Sequence, residues 1–284
     1  MIIDKLYEEA LKSPVCVGLD FRFSLLPEYL KEAAMSLEDK IFTYNRYLVE
    51  ATKDLVACYK LQIACYEALG VEGLKAYSRT VHYIRDSKKI VIGDVKRGDV
   101  ESTAEYYAQA HFTGDFEVDL VTMNPYLGKD SISPYFKYLE TGEKGIFVLI
   151  HTSNESSRDF QELKVEGESL YMKVAQKVNE WCKPFIGASG LSLIGGVAGL
   201  TFPEDMIRIW QACPHAFFLI PGYGIQGGKS IDLSLLLKGK RRFVINSSRD
   251  IIGAHKGIKE DHHFAECARE KVQMMKEDIF KWQR

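Results

Sequence analysis

Short apolar runs recur along the chain, and each is followed by a polar or glycine-containing turn and then by a longer amphipathic segment. The runs are almost continuously apolar, which is typical of strands buried on both faces. Strands that alternate with helices predict βα units and a parallel sheet. The predicted strands are Val15–Leu19, Ala57–Ile63, Ile90–Gly93, Val118–Met123, Gly145–Ile150, Ser192–Val197, Ala216–Ile220 and Arg242–Ile245.

Several segments between these strands carry signals for the start of a helix. Ser36 opens an apolar stripe at helical spacing in a pattern close to a capping box. Ser102 opens a second capping box directly after the third strand, and Pro203 with two following acids starts another helix. A last helix is predicted over about residues 259–282.

Eight strands that alternate with helices over 284 residues predict an α/β fold, a (β/α)8 TIM barrel that forms a single domain over residues 1–284. An open, doubly wound sheet is the structural alternative. Residues 22–34 and 154–168 are longer connections after strands, and such connections often carry functional residues.

Composition narrows the class of protein. The formal charge of -2 gives no basic excess, so a nucleic-acid partner is not expected. The six cysteines form no C-x-x-C pair and are expected to be small buried side chains in a reducing compartment. No apolar run reaches the roughly 18 residues of a membrane span, and the first residues lack the plan of a signal peptide. We therefore expect a cytoplasmic protein without a membrane contact.

Charged residues follow or interrupt three of the predicted strands. Asp20 follows the first, Lys60 lies inside the second, and Asp94, Lys96 and Asp99 follow the third. In a TIM barrel the active site lies at the C-terminal ends of the strands, and ionised groups rarely lie in apolar strands unless paired. Asp94 and Lys96 share strand parity and should point to the same side. The cluster is interpreted as catalytic, with a buried salt-bridge network as the alternative.

The seventh and eighth strands are followed by residues suited to a phosphate group. Residues 221–228 read P-G-x-G-x-Q-G-G, and glycines leave the backbone free for close approach. Arg249 after the eighth strand can bind a phosphate bidentately. TIM barrels often bind phosphate at these two loops. The alternative is a glycine-rich turn beside a surface arginine.

These motifs together resemble a known family. The D-x-K-x-x-D sequence at 94–99 resembles the signature of the orotidine-monophosphate decarboxylase superfamily, and residues 221–228 resemble its phosphate loop. Residues 152–157 and 124–128 are similar to its longer bacterial subgroup. The resemblance implies decarboxylation of orotidine 5′-monophosphate to UMP in pyrimidine synthesis, by a homodimer that uses no metal and no other cofactor.

The resemblance also implies a role for individual residues. Lys96 would protonate C6 of the pyrimidine, Asp94 would lie beside the departing carboxylate, and Lys60 would hold Asp94 and a ribose hydroxyl. Asp99, with Thr103 nearby, would reach into the site of the neighbouring subunit. The other residues expected to bind the substrate are Asp20 at the ribose, Ser153 at the ring, Gln226 at base and phosphate, Arg249 at the phosphate, and Asn124, Pro221 and Gly227 around them.

The sequence offers two alternative functions for the same barrel. A metal-dependent member of the superfamily, such as a 3-keto-L-gulonate 6-phosphate decarboxylase or hexulose-phosphate synthase, would hold Mg²⁺ by carboxylates. Those enzymes have a glutamate in the place of Lys60, and a lysine there repels a divalent cation. A phosphate-ligand-binding barrel without catalysis should lack one of the charged residues, and none is missing.

Overall fold

A computed structural model describes residues 1–199, 203–223, 238–257 and 261–283. Within these ranges eight parallel strands close into a barrel in the order β1-β2-β3-β4-β5-β8-β9-β10, and the two-stranded sheet β6-β7 lies in a connection. The strands are β1 Val15–Gly18, β2 Cys58–Gln62, β3 Ile90–Arg97, β4 Leu120–Met123, β5 Gly145–His151, β6 Lys164–Val165, β7 Glu168–Ser169, β8 Ile194–Ala198, β9 Phe218–Pro221 and β10 Phe243–Ser247.

The predicted TIM barrel is confirmed, and the open sheet is wrong. The first strand decides between them, because Cys16 of β1 pairs with Cys58 of β2 on one side and with Asn246 of β10 on the other. Each of the eight predicted strands overlaps a strand of the barrel. The C-terminal ends of the strands therefore converge on one rim, as the interpretation of the charged residues as one cluster assumed.

Helices connect successive strands and pack on the outside of the barrel. In the described ranges they are α1 Ile2–Lys12, α2 Glu28–Glu32, α3 Leu37–Thr52, α4 Ala64–Glu67, α5 Gly70–Asp86, α6 Glu101–Phe112, α7 Phe136–Leu139, α8 Leu170–Cys182, α9 Pro203–Ala212, α10 Arg249–Ile252 and α11 Phe264–Trp282. No helix in the described parts of the chain is both long and apolar enough to cross a membrane.

Of the helix starts predicted at Ser36, Ser102 and Pro203, two are confirmed and one is wrong. Ser36 caps α3, because its hydroxyl accepts the backbone N–H of Asp39 at 3.1 Å. The predicted capping box at Ser102 is wrong, because α6 begins at Glu101. The N–H groups of Thr103 and Ala104 already donate to the carbonyl of Val100. Ser102 therefore lies inside the first turn, where its hydroxyl cannot serve as the cap. The helix α9 begins at Pro203 as predicted.

The last helix begins later than predicted. It starts at Phe264, after a short 3-10 turn over Asp261–His263. The predicted start near Lys259 lies outside the described residues.

The barrel interior is filled by side chains of alternating size. The rings of Phe147 on β5 and Phe217 beside β9 lie with their centroids 6.4 Å apart. Gly195 lies between them on β8, where a Cβ atom would come within 2.7 Å of the Phe147 ring. A glycine at this position therefore lets two large rings share the interior, which is a packed core as in other TIM barrels.

The third strand departs most from its prediction. It runs past Gly93 to Arg97, and its pairing with β4 shifts: Gly93 pairs with Val121, and Arg97 pairs with Met123. Four steps along β3 thus match two steps along β4, which is a bulge. The bulge holds Asp94 and Lys96 at the rim of the barrel.

Candidate active site

The carboxylate of Asp94 is the centre of a charged cluster at the C-terminal end of the barrel. Lys60 Nζ lies 2.9 Å from Asp94 Oδ2 and 3.3 Å from Asp20 Oδ1. Strand register brings these groups together, because Lys60 pairs with Gly18 on β1 and Gln62 pairs with Asp94 on β3. Lys60 is 4% exposed, so the two carboxylates, rather than water, balance its charge.

Lys96 binds the opposite oxygen of the same carboxylate. Its Nζ forms an ion pair with Asp94 Oδ1, and its side chain is 44% exposed. The prediction that these two side chains point to the same side is confirmed by this contact. Regular strand alternation is not the cause, because the bulge and a φ of 46° at Lys96 set the direction of its side chain.

Two residues that the sequence did not identify complete the shell of Asp94. Thr122 Oγ1 on β4 donates to Asp94 Oδ1 at 2.9 Å, and Gln62 Nε2 donates to Oδ2 at 3.1 Å. Gln62 lies two residues after Lys60, so strand parity could have placed it in the cluster. A single threonine inside an apolar strand gave no comparable signal.

Asp20 joins the cluster to the eighth strand of the barrel. Its Oδ1 accepts Lys60, and its Oδ2 accepts the hydroxyl of Ser248 at 2.7 Å. Asn246 donates to the same hydroxyl at 3.3 Å. A Cβ atom on Gly18 would overlap Ser248 Oγ, so this contact requires a glycine there. The ribose-binding residue expected at position 20 is thus held by Lys60 on β2 and by Ser248, which directly follows β10.

The electrostatics of the cluster favour its ionised form. Burial by itself raises the pKa of Asp94, but the charges and hydrogen bonds of Lys60 and Lys96 outweigh burial and hold that pKa well below its usual range. Burial likewise lowers the pKa of Lys60, while Asp20 and Asp94 raise it above its usual value by more. The carboxylate and the buried ammonium are therefore charged at neutral pH.

A pocket of about 270 Å³ opens beside the cluster. Sequence-predicted residues line it from several strands, among them Asp20, Lys60, Asp94, Ser153, Pro221 and Arg249. Arg22, which the sequence did not single out, also lines it. Gln226 and Gly227 lie outside the described residues. Arg22 and Arg249 are both exposed at the pocket, so the site offers positive charge in addition to the lysines at Asp94.

Four predicted residues in the described ranges do not line this pocket in the single chain. Lys96 is one of them, and it pairs with Asp94, which does line the pocket. Asp99 lies between β3 and α6, where its carboxylate accepts the N–H of Val100 at 2.8 Å. Thr103 is half-buried in the first turn of α6, and Asn124 is exposed after β4. The segments adjoin, because the N–H of Asn124 donates to the carbonyl of Arg97 at 2.8 Å. These residues therefore form a second part of the same rim.

In the ranges that the structure describes, no three His, Cys, Asp or Glu side chains are grouped as a metal ion would require. The space between Asp20 and Asp94 contains the ammonium of Lys60.

Comparison with known proteins gives the family. The sequence profile of the orotidine 5′-phosphate decarboxylase / HUMPS family matches residues 13–260. The chain is 50% identical to the orotidine 5′-phosphate decarboxylase of Petrotoga mobilis over 283 residues, and 47% identical to that of Clostridium tetani over 281 residues; each match covers 98% of both chains.

A solved structure agrees with these relatives. The OMP decarboxylase of Leishmania donovani superposes with a TM-score of 0.77 at 28% identity, covering 99% of this chain and 97% of that one. The barrel, the charged cluster and these matches together lead to one conclusion: the chain belongs to the orotidine 5′-phosphate decarboxylase / HUMPS family.

Proposed function

We propose that this chain decarboxylates orotidine 5′-monophosphate to UMP and CO₂ in pyrimidine nucleotide synthesis. The observation that carries the proposal is one ionised carboxylate, Asp94, which lines a pocket and is bound on one side by the buried Lys60 and on the other by the half-exposed Lys96. Membership of the family and relatives named as this decarboxylase support the same reaction.

Lys96 is the proposed acid. When the bond between C6 and the carboxylate carbon breaks, CO₂ leaves and the electron pair stays on C6. An ammonium beside C6 stabilises this charge more in the transition state than in the substrate, and it then transfers a proton to C6. Lys96 is suited to this because its side chain is 44% exposed while its ion pair with Asp94 fixes the position of its ammonium. Solvent then returns the proton to Lys96.

Asp94 has two proposed effects. It holds Lys96 in place before the substrate binds, so that little reorganisation is needed during the reaction. It also places a negative charge beside the carboxylate of the substrate, which disfavours the ground state relative to the product CO₂. Lys60, Gln62 and Thr122 keep Asp94 ionised despite its burial.

The remaining lining residues have proposed binding roles. Asp20 and Lys60 would hold ribose hydroxyls, and Ser153 would bond to the pyrimidine ring. Arg249, an exposed residue of the pocket lining, would bind the phosphate with the backbone around Pro221. Binding energy from the phosphate can then be used at C6.

The position of Lys60 supports a reaction without a metal. A divalent cation bound by Asp20 and Asp94 would have to occupy the place where Nζ now lies within 3.3 Å of both carboxylates. Like charges so close repel strongly, so this arrangement disfavours the Mg²⁺-dependent sugar-phosphate reactions of the superfamily.

The test of this function is a decarboxylation assay on orotidine 5′-monophosphate, followed by loss of absorbance as UMP forms. We expect turnover that is unchanged by EDTA and by added Mg²⁺. Turnover that stops in EDTA and returns with Mg²⁺ would contradict the metal-free reaction. Absence of turnover, with activity on a sugar phosphate instead, would contradict the proposed substrate.

A homodimer with shared sites is the second part of the proposal. Asp99 lies off the pocket of its own chain, next to the exposed side chain of Val100. The adjoining segment after β4 carries two more exposed apolar side chains, Tyr126 and Leu127. Clustered exposed apolar residues commonly mark an interface with another protein. A second copy of this chain would cover these side chains. Asp99 of one copy would then lie next to Lys96 of the other copy, with Thr103 beside it.

Complementation tests this arrangement. Lys96→Ala and Asp99→Ala should each be nearly inactive alone. Co-expressed in equal amounts, they should recover about a quarter of the wild-type activity per subunit, since half of the dimers are mixed and each holds one intact site. If Asp99 acts in its own chain, every site carries a defect and no activity returns. Separate tags on the two variants and purification of the mixed dimer give the control for assembly.

A further inference from the structure

The backbone that carries the catalytic pair is held in an unusual conformation. Lys96 has a φ of 46°, in the left-handed region that residues with a side chain rarely adopt. It lies in the bulge of β3, where the pairing with β4 skips from Gly93 to Arg97. Such a conformation persists only where neighbouring groups enforce it, and it is common at functional sites.

Thr122 is the residue of β4 that faces this bulge. Its Oγ1 accepts the backbone N–H groups of Val95 and Lys96, each at 3.0 Å, and donates to Asp94 Oδ1 at 2.9 Å. A hydroxyl has one proton and two acceptor positions. Because both acceptor positions are occupied by N–H groups, the proton of Thr122 can only be given to Asp94.

This bonding fixes two parts of the site relative to each other. One end of the contact is the backbone of Lys96, and the other is the carboxylate that binds the ammonium of the same residue. The side chain of Lys96 is half-exposed and flexible by nature, whereas Thr122 is 1% exposed and is held by its strand. The position of the ammonium therefore depends on a buried hydroxyl that does not touch the pocket.

We propose that Thr122 is a positioning residue of the decarboxylase, an inference that rests on the proposed role of Lys96. Its hydroxyl stabilises the left-handed backbone of Lys96 and the ionised state of Asp94 at once, so the ammonium is already in place when the substrate binds. Without the hydroxyl, two backbone N–H groups lose their acceptor and Asp94 loses a donor.

Thr122→Val and Thr122→Ser separate this role from packing. Valine keeps the shape and removes the hydroxyl, and we expect kcat to fall about 10- to 100-fold with KM changed less than about threefold. Serine keeps the hydroxyl and should restore kcat to within about threefold of the wild type. Loss of a donor also raises the pKa of Asp94, so the acid limb of the kcat profile should move to higher pH in the valine variant.

Thr52→Val is the matched control. Thr52 is also a fully buried threonine with two hydroxyl contacts, at Leu48 O and Tyr59 Oη, but it lies away from Asp94. Its valine variant should lose thermal stability like Thr122→Val while kcat and its pH profile stay as in the wild type. Equal kcat values for the two valine variants would overturn the proposal.

A crystal structure of Thr122→Val separates this proposal from the proposed function. We expect the φ of Lys96 to leave the left-handed region and its ammonium to leave Asp94. This readout needs no substrate, so it holds even if the wild type fails to decarboxylate orotidine 5′-monophosphate. An unchanged Lys96 in that structure would overturn the positioning role.

Discussion

Replacing Lys96 by alanine is expected to lower kcat for orotidine 5′-monophosphate by about 10³-fold or more, with a much smaller change in KM. The variant loses both the positive charge that stabilises the developing carbanion and the proton that C6 must receive. Other groups at the site already have partners: the ammonium of Lys60 is buried between Asp20 and Asp94, and Gln62 is bound to Asp94. A kcat within about tenfold of the wild type would remove Lys96 from the mechanism.

A second lysine that is paired with a carboxylate serves as the control for this variant. Lys144 also pairs with a carboxylate, Glu117, at 2.7 Å, but it is largely buried and lies at the opposite end of the barrel strands. Lys144→Ala should lose stability and keep its kcat. Steady-state assays on both variants, with thermal melting, separate a lost acid from a weakened fold.

Much of the barrel follows from the sequence because strand burial leaves a strong signal. Runs such as Val15–Leu19 are apolar on both faces, and a strand of the barrel overlaps each run. The charged residues at strand ends were identifiable for the converse reason, since Lys60 and Asp94 in apolar surroundings require partners. The chain order of strands, with the rule that parallel strands end on one rim, then brings them together.

The features that the sequence did not predict depend on how the backbones of neighbouring strands pair. The bulge in β3 and the φ of Lys96 arise from pairing with β4, which local periodicity does not encode. Thr122 acquires its partners only through that bulge, so its importance is invisible along the chain. Ser102 failed as a cap for a related reason, because the helix had already begun at the preceding residue.

Asp94→Asn is expected to weaken the fold and the reaction together. The variant leaves the buried ammonium of Lys60 with Asp20 alone, at 3.3 Å. Removing one partner of a buried ion pair typically costs about 3–5 kcal/mol in the free energy of unfolding, because the remaining charge is left poorly compensated. Lys96 also loses its anchor, so we expect kcat to fall by about 10²-fold or more.

Asp54→Asn gives the matched comparison at the surface. Asp54 pairs with Arg269 at 2.6 Å, but both side chains are about half exposed. Exposed pairs contribute about 0–1 kcal/mol, so this variant should unfold nearly as the wild type does and keep its kcat. Similar unfolding free energies and similar kcat values for the two asparagine variants would contradict the assigned role of Asp94.

The pH dependence of stability gives an independent check on Asp94. The pKa of Asp94 in the fold lies below its ordinary value of 3.8, so the folded state binds its proton more weakly than the unfolded state does. The stabilisation from ionised Asp94 is therefore fully present above about pH 4 and is lost as the pH falls through the folded-state pKa. The difference in unfolding free energy between the wild type and Asp94→Asn should be constant near neutral pH and should narrow in acid. Denaturant titrations across this range measure it, and a difference that widens in acid would show that the carboxylate is not held ionised by its lysines.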